Sequence, residues 1–97
     1  MNNIDINSFR QLLMSQKLNI IDIRQPYLYA SAHIPGAINL DQTLLLTNPA
    51  KYLSRENKYY IYCDSGSKSG YVVQKLNSLG YNTVNISGGF NNYLLKR

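Results

Sequence analysis

Cysteine is nearly absent from this chain, since Cys63 is the only one among 97 residues. A single thiol excludes an internal disulfide and favours a reducing, cytoplasmic environment. Histidine is equally scarce, and one cysteine with one histidine cannot complete a closed zinc site. Gly88-Gly89 is more typical of a tight turn than of a dinucleotide-binding motif. The sequence therefore predicts no metal and no cofactor.

Long apolar runs and acidic residues are also lacking. No segment approaches the ~20 apolar residues needed to span a bilayer, and residues 1–5 lack the basic and apolar regions of a secretory signal. Five acidic residues stand against ten basic ones, which gives a net charge of +5. Because the basic residues are scattered and no nucleic-acid-binding motif is present, we expect small anions as partners, with no nucleic acid and no membrane.

The composition that remains is typical of one globular domain covering residues 1–97, with 44% hydrophobic and 15% charged residues. β-Branched, apolar segments alternate with helical patterns over short connections, which predicts an α/β fold with a parallel sheet covered by helices. The predicted strands are 18–23, 37–40, 59–63 and 81–86, with a short edge strand at 4–6. The predicted helices begin after a cap at Asn7 or Ser8, at Pro26, after Asp41, at Pro49, at Tyr71 and at Phe90.

Cys63 ends one of these strands and opens a polar, small-residue segment before the next helix. The segment consists of Asp64, Ser65, Gly66, Ser67, Lys68 and Ser69. A loop entering a helix N-terminus directs backbone N–H groups and partial positive charge toward one place. These conditions lower the pKa of a thiol and hold an anion beside it.

Cys63 has two interpretations at this stage. A lone cysteine usually acts as a small buried hydrophobe. Three features favour a nucleophile instead: the strand's carboxyl end, where open α/β sheets bind ligands, the turn permitted by Gly66, and the positive charge of Lys68. We therefore predict Cys63 as the catalytic residue and Asp64–Ser69 as its anion-binding loop.

Three further polar residues attract attention. Asp22 and Arg24, on either side of Ile23, form a polar pair that either contacts loops near the site or anchors the turn that follows the strand. The second role is favoured, because buried charges are normally paired. His33 would suit a cysteine–histidine nucleophile–base pair, but its place in a Pro-Gly turn favours a structural, hydrogen-bonded role.

Three segments, taken in order, resemble the signatures of rhodanese-like domains. Residues 21–27 with 33–39 resemble the family's first signature, residues 63–69 its active-site loop, and residues 87–90 its closing glycine motif with an aromatic residue after it. These segments are spread over residues 21–90, so the resemblance extends over most of the chain. The resemblance implies a central parallel sheet with helices on both faces, and sulfur transfer through a persulfide on Cys63.

The resemblance also implies a ping-pong reaction between two partners. A small anionic donor such as thiosulfate would pass its outer sulfur to Cys63, and a thiol, possibly on a partner protein, would remove it. Because the loop stabilises the thiolate, no dedicated base is needed. The chain departs from the family pattern at Gln25, Leu28 and Ala32, and Lys68 stands where arginine is common. Lysine keeps the charge but makes no planar, two-pronged contact with an oxyanion.

Two other functions are weighed beside sulfur transfer. Phosphatase or arsenate reductase chemistry would need a wider cradle and an arginine at its far end, whereas only six residues run from Cys63 through Lys68. A regulatory module that binds partners without turnover would not need the cysteine, which is present here.

Overall fold

The computed structural model describes residues 2–95, so Met1, Lys96 and Arg97 of the predicted domain lie outside the described residues. All five strands pair in parallel, in the spatial order β1-β5-β4-β2-β3. The strands are β1 (Asn3–Ile4), β2 (Asn19–Asp22), β3 (Ala37–Asn39), β4 (Lys58–Tyr62) and β5 (Asn82–Ile86). The helices are α1 (Ile6–Ser15), α2 (Pro26–Ser31), α3 (Gln42–Thr47), α4 (Pro49–Tyr52), α5 (Ser67–Ser78) and α6 (Gly89–Leu95).

Apolar residues are buried on both faces of the sheet, which explains why its central strands are almost continuously hydrophobic. Along β4 and the residue after it, Tyr59, Ile61 and Cys63 join one buried cluster, and Tyr60 and Tyr62 join another. The first cluster includes residues of α3 and α5, and the second includes residues of α1 and α6. Helices on both faces of a parallel sheet confirm the predicted fold class.

The predicted start of the chain is wrong in detail. The first strand ends at Ile4, and Ile6 is a buried helical residue rather than a strand residue. The N-cap of α1 is Asp5, whose carboxylate accepts a hydrogen bond from the Ser8 amide at 2.9 Å, not Asn7 or Ser8. An aspartate satisfies a free helix N–H in this position, so the helix starts earlier than its apolar pattern indicated.

Helix α5 also begins earlier than predicted, at Ser67 instead of Tyr71. Gly66 occupies its N-cap with φ +96°, a left-handed conformation that glycine adopts without steric cost. Ser67, Lys68 and Ser69 therefore form the first helical turn, and the loop itself is shortened to residues 64–66. The carboxyl end of β4 thus leads almost directly into a helix N-terminus.

The strand order places a crevice at the carboxyl ends of β2 and β4. From β2 the chain continues to β3 on one side, and from β4 it continues to β5 on the other. Neighbouring strands whose connections diverge leave a gap, which is where open α/β sheets bind ligands. Of the helices within residues 2–95, none has the length and hydropathy required to cross a bilayer.

Candidate active site

The Cys63 thiol lies at the centre of the sheet's carboxyl edge, buried except for 4% of its surface and free of any disulfide. Its Sγ accepts hydrogen bonds from the amides of Gly66 at 3.2 Å and Ser69 at 3.4 Å, and lies 3.3 Å from the Ser69 hydroxyl. The amides of the loop and of the first turn of α5 therefore converge on the sulfur atom.

These contacts determine the acidity of the thiol. Burial by itself raises the pKa of Cys63, but hydrogen bonds from the Ser69 hydroxyl and from the amides of Ser69, Gly66 and Ser65 outweigh it. The net pKa lies below the ordinary value, as the sequence predicted. Hydrogen bonds, rather than the charge of Lys68, are the main causes that lower it, so the loop backbone stabilises the thiolate.

A cavity of about 330 Å³ opens beside Cys63 in the crevice between β2 and β4. From the predicted segment, Cys63, Asp64, Ser65, Ser67 and Lys68 line it, whereas Gly66 and Ser69 contact the sulfur without lining the cavity. The other walls come from the end of β2 and from the starts of α2 and α3. The cavity gives a small polar molecule access to the sulfur.

Asp22 and Arg24 form a buried ion pair at the edge of this cavity. The Asp22 carboxylate accepts from the Arg24 backbone amide at 2.8 Å and from its guanidinium at 2.8–3.1 Å. Arg24 Nη2 also donates to the carbonyl of Ala32 at 2.6 Å, which confirms the predicted anchoring of the turn. In addition, Arg24 Nη1 lies 3.7 Å from Asp64 Oδ1. The pair thus also connects the turn after β2 with the loop after β4, which is the alternative role that the sequence offered but did not favour.

Helix α6 holds the same loop from the other side. The amides of Phe90 and Asn91 donate to the carbonyls of Cys63 and Asp64 at 2.8 and 3.0 Å. Gly89, with φ +60°, allows this approach, since a Cβ there would lie only 2.6 Å from the Asp64 carbonyl oxygen. The guanidinium of Arg24 stacks over the Phe90 ring at 4.2 Å. The Gly88-Gly89 motif therefore positions the loop that follows Cys63 as well as turning the chain.

His33 takes the structural role that the sequence favoured. Its Nδ1 is hydrogen-bonded to the Tyr29 carbonyl at 2.8 Å, and its ring stacks on the Tyr29 ring with centroids 3.9 Å apart. His33 does not line the cavity beside Cys63. Among residues 2–95, no group of three or more His, Cys, Asp and Glu side chains is arranged to hold a metal ion.

The sequence favoured an anchoring role for Arg24, but its side chain also lines the cavity. One contributor to the site, Asn85, was missed altogether. Asn85 on β5 accepts a hydrogen bond from the Ser69 hydroxyl at 2.6 Å. The Asp-x-Arg spacing at a strand end was a usable signal for Arg24. For Asn85 the only signal was a polar residue within an otherwise buried strand.

The class that this geometry defines is a parallel α/β domain in which a buried cysteine lies between a central strand and a helix N-terminus, with backbone amides directed at its sulfur. The rhodanese-like domain family model matches residues 5–96, and the chain belongs to that family.

The known relatives differ in length. "Thiosulfate sulfurtransferase GlpE" of Tolumonas auensis is 32% identical over 88 residues, covering 90% of this chain and 82% of that protein. "Adenylyltransferase and sulfurtransferase uba4" of Ogataea parapolymorpha is 30% identical over 83 residues, covering 84% of this chain. This chain spans only 21% of the length of uba4. A crystal structure of a protein from Staphylococcus saprophyticus superposes with a TM-score of 0.88 at 31% identity, covering 96% and 93% of the two chains.

Proposed function

We propose that this protein is a sulfurtransferase, which moves a sulfane sulfur from a donor such as thiosulfate to a thiol acceptor through a persulfide on Cys63. The observation that carries the proposal is the convergence of the Gly66 and Ser69 amides on a sulfur atom that faces a cavity. Relatives of similar length that are named thiosulfate sulfurtransferases support the same reaction class.

The first half-reaction begins with the Cys63 thiolate. Its electron pair attacks the outer sulfur of thiosulfate, a new S–S bond forms, the S–S bond within the donor breaks, and sulfite leaves with the bonding electrons. The terminal sulfur now on Cys63 is anionic, and backbone N–H groups of the loop stabilise such a charge as an oxyanion hole does. Lys68, which lines the cavity, attracts the doubly charged donor.

The second half-reaction returns the enzyme to its starting state. An acceptor thiolate attacks the terminal sulfur, takes it as a new persulfide, and leaves the Cys63 thiolate behind. Dividing the transfer into two displacements is covalent catalysis, and no base is required because sulfur rather than a proton is transferred at each step. A reduced small thiol or a cysteine of a partner protein is the proposed acceptor.

Intact-protein mass spectrometry tests the proposal. After incubation with thiosulfate, the wild-type protein should gain one sulfur atom, and cyanide should remove it as thiocyanate. Cys63→Ser should gain none, because its hydroxyl is not ionised near neutral pH and forms no persulfide. Circular dichroism of the variant controls for its fold.

Two results would refute sulfur transfer at this residue. One is a folded wild-type protein that never acquires sulfur, and the other is a serine variant that acquires it equally well. Hydrolysis of an aryl phosphate by wild-type protein, without sulfur uptake, would replace the proposal with phosphatase chemistry.

A further inference from the structure

A chain of polar side chains leads from the buried Cys63 sulfur through Ser69 and Asn85 to Asn3 on the edge strand β1. Ser69 Oγ lies 3.3 Å from Cys63 Sγ and 2.6 Å from Asn85 Oδ1, and Asn85 Nδ2 continues to Asn3 Oδ1 at 2.9 Å. Ser69 is fully buried and Asn85 is 6% exposed. Water therefore has little access to Ser69 and Asn85, so the hydrogen bonds of these two side chains must be satisfied within the protein.

The orientation of the Asn85 amide follows from its partners. Asn85 Nδ2 lies 3.3 Å from the Gly66 carbonyl oxygen, which only accepts hydrogen bonds. The NH2 end of the amide must face Gly66, and the carbonyl end must face Ser69. Since Asn85 Oδ1 cannot donate, the hydrogen bond at 2.6 Å uses the hydroxyl proton of Ser69.

A serine hydroxyl has one proton, and two groups compete for it here. While Ser69 donates to Asn85, its oxygen can only accept from Cys63, which suits the protonated thiol. When Cys63 is a thiolate, the hydroxyl stabilises it only by rotating toward the sulfur. That rotation leaves Asn85 Oδ1 buried without a donor, which costs free energy. Asn85 therefore opposes part of the stabilisation that Ser69 gives to the sulfur anion.

We propose that Asn85 is a positioning residue that acts through the Ser69 hydroxyl: it holds the hydroxyl proton while Cys63 is a thiol and releases it when the sulfur becomes anionic. This inference rests on the proposed function only in treating the Cys63 sulfur as the reacting atom. Such a competition keeps the thiolate from being stabilised so strongly that it loses nucleophilicity, since nucleophilicity falls with thiol pKa.

Other charged groups surround the sulfur but do not belong to this chain of contacts. They are Asp22 and Arg24 at the end of β2, Asp41 before α3, Asp64 in the loop and Lys68 in α5. Within the described part of the chain, none of them is hydrogen-bonded to Ser69 or Asn85. None of these charged residues is changed in the variants compared below.

A double-mutant cycle on the full chain tests the proposal. The rate of Cys63 alkylation by iodoacetamide, followed against pH without any sulfur donor, reports the thiolate fraction. Asn85→Leu removes the competing acceptor, so the Ser69 hydroxyl is free to donate to the sulfur anion. Because a hydrogen bond to a charged group is stronger than one to a neutral group, the thiolate fraction should rise about fivefold at pH values below the midpoint. Ser69→Ala should lower it. In the Ser69→Ala background, Asn85→Leu should change nothing further.

Thr83→Val is the matched control. Thr83 lies two residues before Asn85 on β5 and is also buried, but its hydroxyl bonds to Asn77 rather than to Ser69. This variant should leave the alkylation profile unchanged. An effect of Asn85→Leu that is absent, opposite in sign, or equal in both Ser69 backgrounds would overturn the proposal.

A measurement on the wild-type protein covers the case in which a variant does not fold. The side-chain amide resonances of Asn85 should titrate in NMR spectra with the same midpoint as the Cys63 thiolate absorbance, because Oδ1 loses its donor there. If these resonances do not move, the proposal is wrong. Neither measurement uses sulfur transfer, so its result is independent of whether the proposed enzymatic activity holds.

Discussion

Replacing Gly89 by alanine tests how firmly α6 holds the loop that carries Cys63. Gly89 has φ +60°, and a Cβ there would lie 2.6 Å from the Asp64 carbonyl oxygen, with the Cys63 carbonyl also in contact. The left-handed conformation costs a non-glycine residue about 1–2 kcal/mol. Because the atoms in the way are backbone, relieving the overlap adds about 1–3 kcal/mol.

Gly36→Ala provides a control that separates strain from overlap. Gly36 also has a positive φ, +89°, but nothing lies within 4 Å of the position its Cβ would take. Gly36→Ala should therefore lower the free energy of unfolding by about 1–2 kcal/mol, whereas Gly89→Ala should lower it by about 2–5 kcal/mol. For a domain of this size, each kcal/mol lowers Tm by roughly 4–8 °C.

The two variants should also differ at the thiol. Relieving the overlap at Gly89 moves the carbonyls of Cys63 and Asp64, and with them the amides that hold the sulfur. Urea unfolding measures stability, and iodoacetamide alkylation against pH measures the thiolate. We expect Gly89→Ala to raise the alkylation midpoint and Gly36→Ala to leave it unchanged. Equal stability losses together with equal alkylation profiles would refute the idea that α6 positions the loop.

Three further predictions concern the charges of the site. The lowered pKa of Cys63 stabilises the fold where the native thiol is ionised and the unfolded one is not. The difference in urea midpoint between wild type and Cys63→Ser should therefore increase with pH until the ordinary thiol pKa of about 8.5 is reached. This added stability should be lost as pH falls through the native pKa of Cys63; a difference that does not change with pH would contradict the lowered pKa. Lys68→Ala should weaken the use of thiosulfate in steady-state assays, less so as ionic strength rises, whereas Lys68→Arg should retain it; a loss that is independent of salt would exclude charge attraction. Asp22→Asn should lower the free energy of unfolding by about 3–5 kcal/mol, because Arg24 keeps a buried charge without its carboxylate; a loss under 1 kcal/mol would show that the Ala32 and Asp64 contacts suffice.

Much of the fold could be predicted because its signals are local. Continuous apolar strands indicated a sheet covered on both faces, and Pro26 and Pro49 marked the first residues of two helices. Asp41 marked a helix cap, and its carboxylate accepts from the Leu44 amide at 3.0 Å. Each of these signals acts within a few residues, so sequence spacing was sufficient.

The boundaries around the site could not be predicted in the same way. The first turn of α5 contains Ser67, Lys68 and Ser69, and serine favours caps and turns over helix interiors, which suggests a loop. They are helical because Gly66 turns the chain and the amides of that turn find the Cys63 sulfur as acceptor. The contact that stabilises the turn exists only once strand and helix are assembled.

Contacts between distant segments were equally hidden. Arg24 meets Asp64 across forty residues, and Asn85 meets Ser69 across sixteen. Strand order decides which residues become neighbours at the carboxyl edge of the sheet, and no local pattern in this chain reports it. The identity of Cys63 as the candidate nucleophile was predictable, but the partners that set its acidity were only partly so.

The contact between α6 and the loop also has a consequence for the order in which a newly made chain acquires a working site. Cys63 and Asp64 leave the ribosome well before Phe90 and Asn91, whose amides fix the loop carbonyls. Since a domain is completed only when its late segments arrive, a nascent chain that ends before α6 has its thiol but not the geometry around it. Strand β1 likewise cannot form its hydrogen bonds until β5, the strand it pairs with, has been synthesised. The candidate nucleophile Cys63 thus lacks the contacts that fix its loop until α6 has been synthesised.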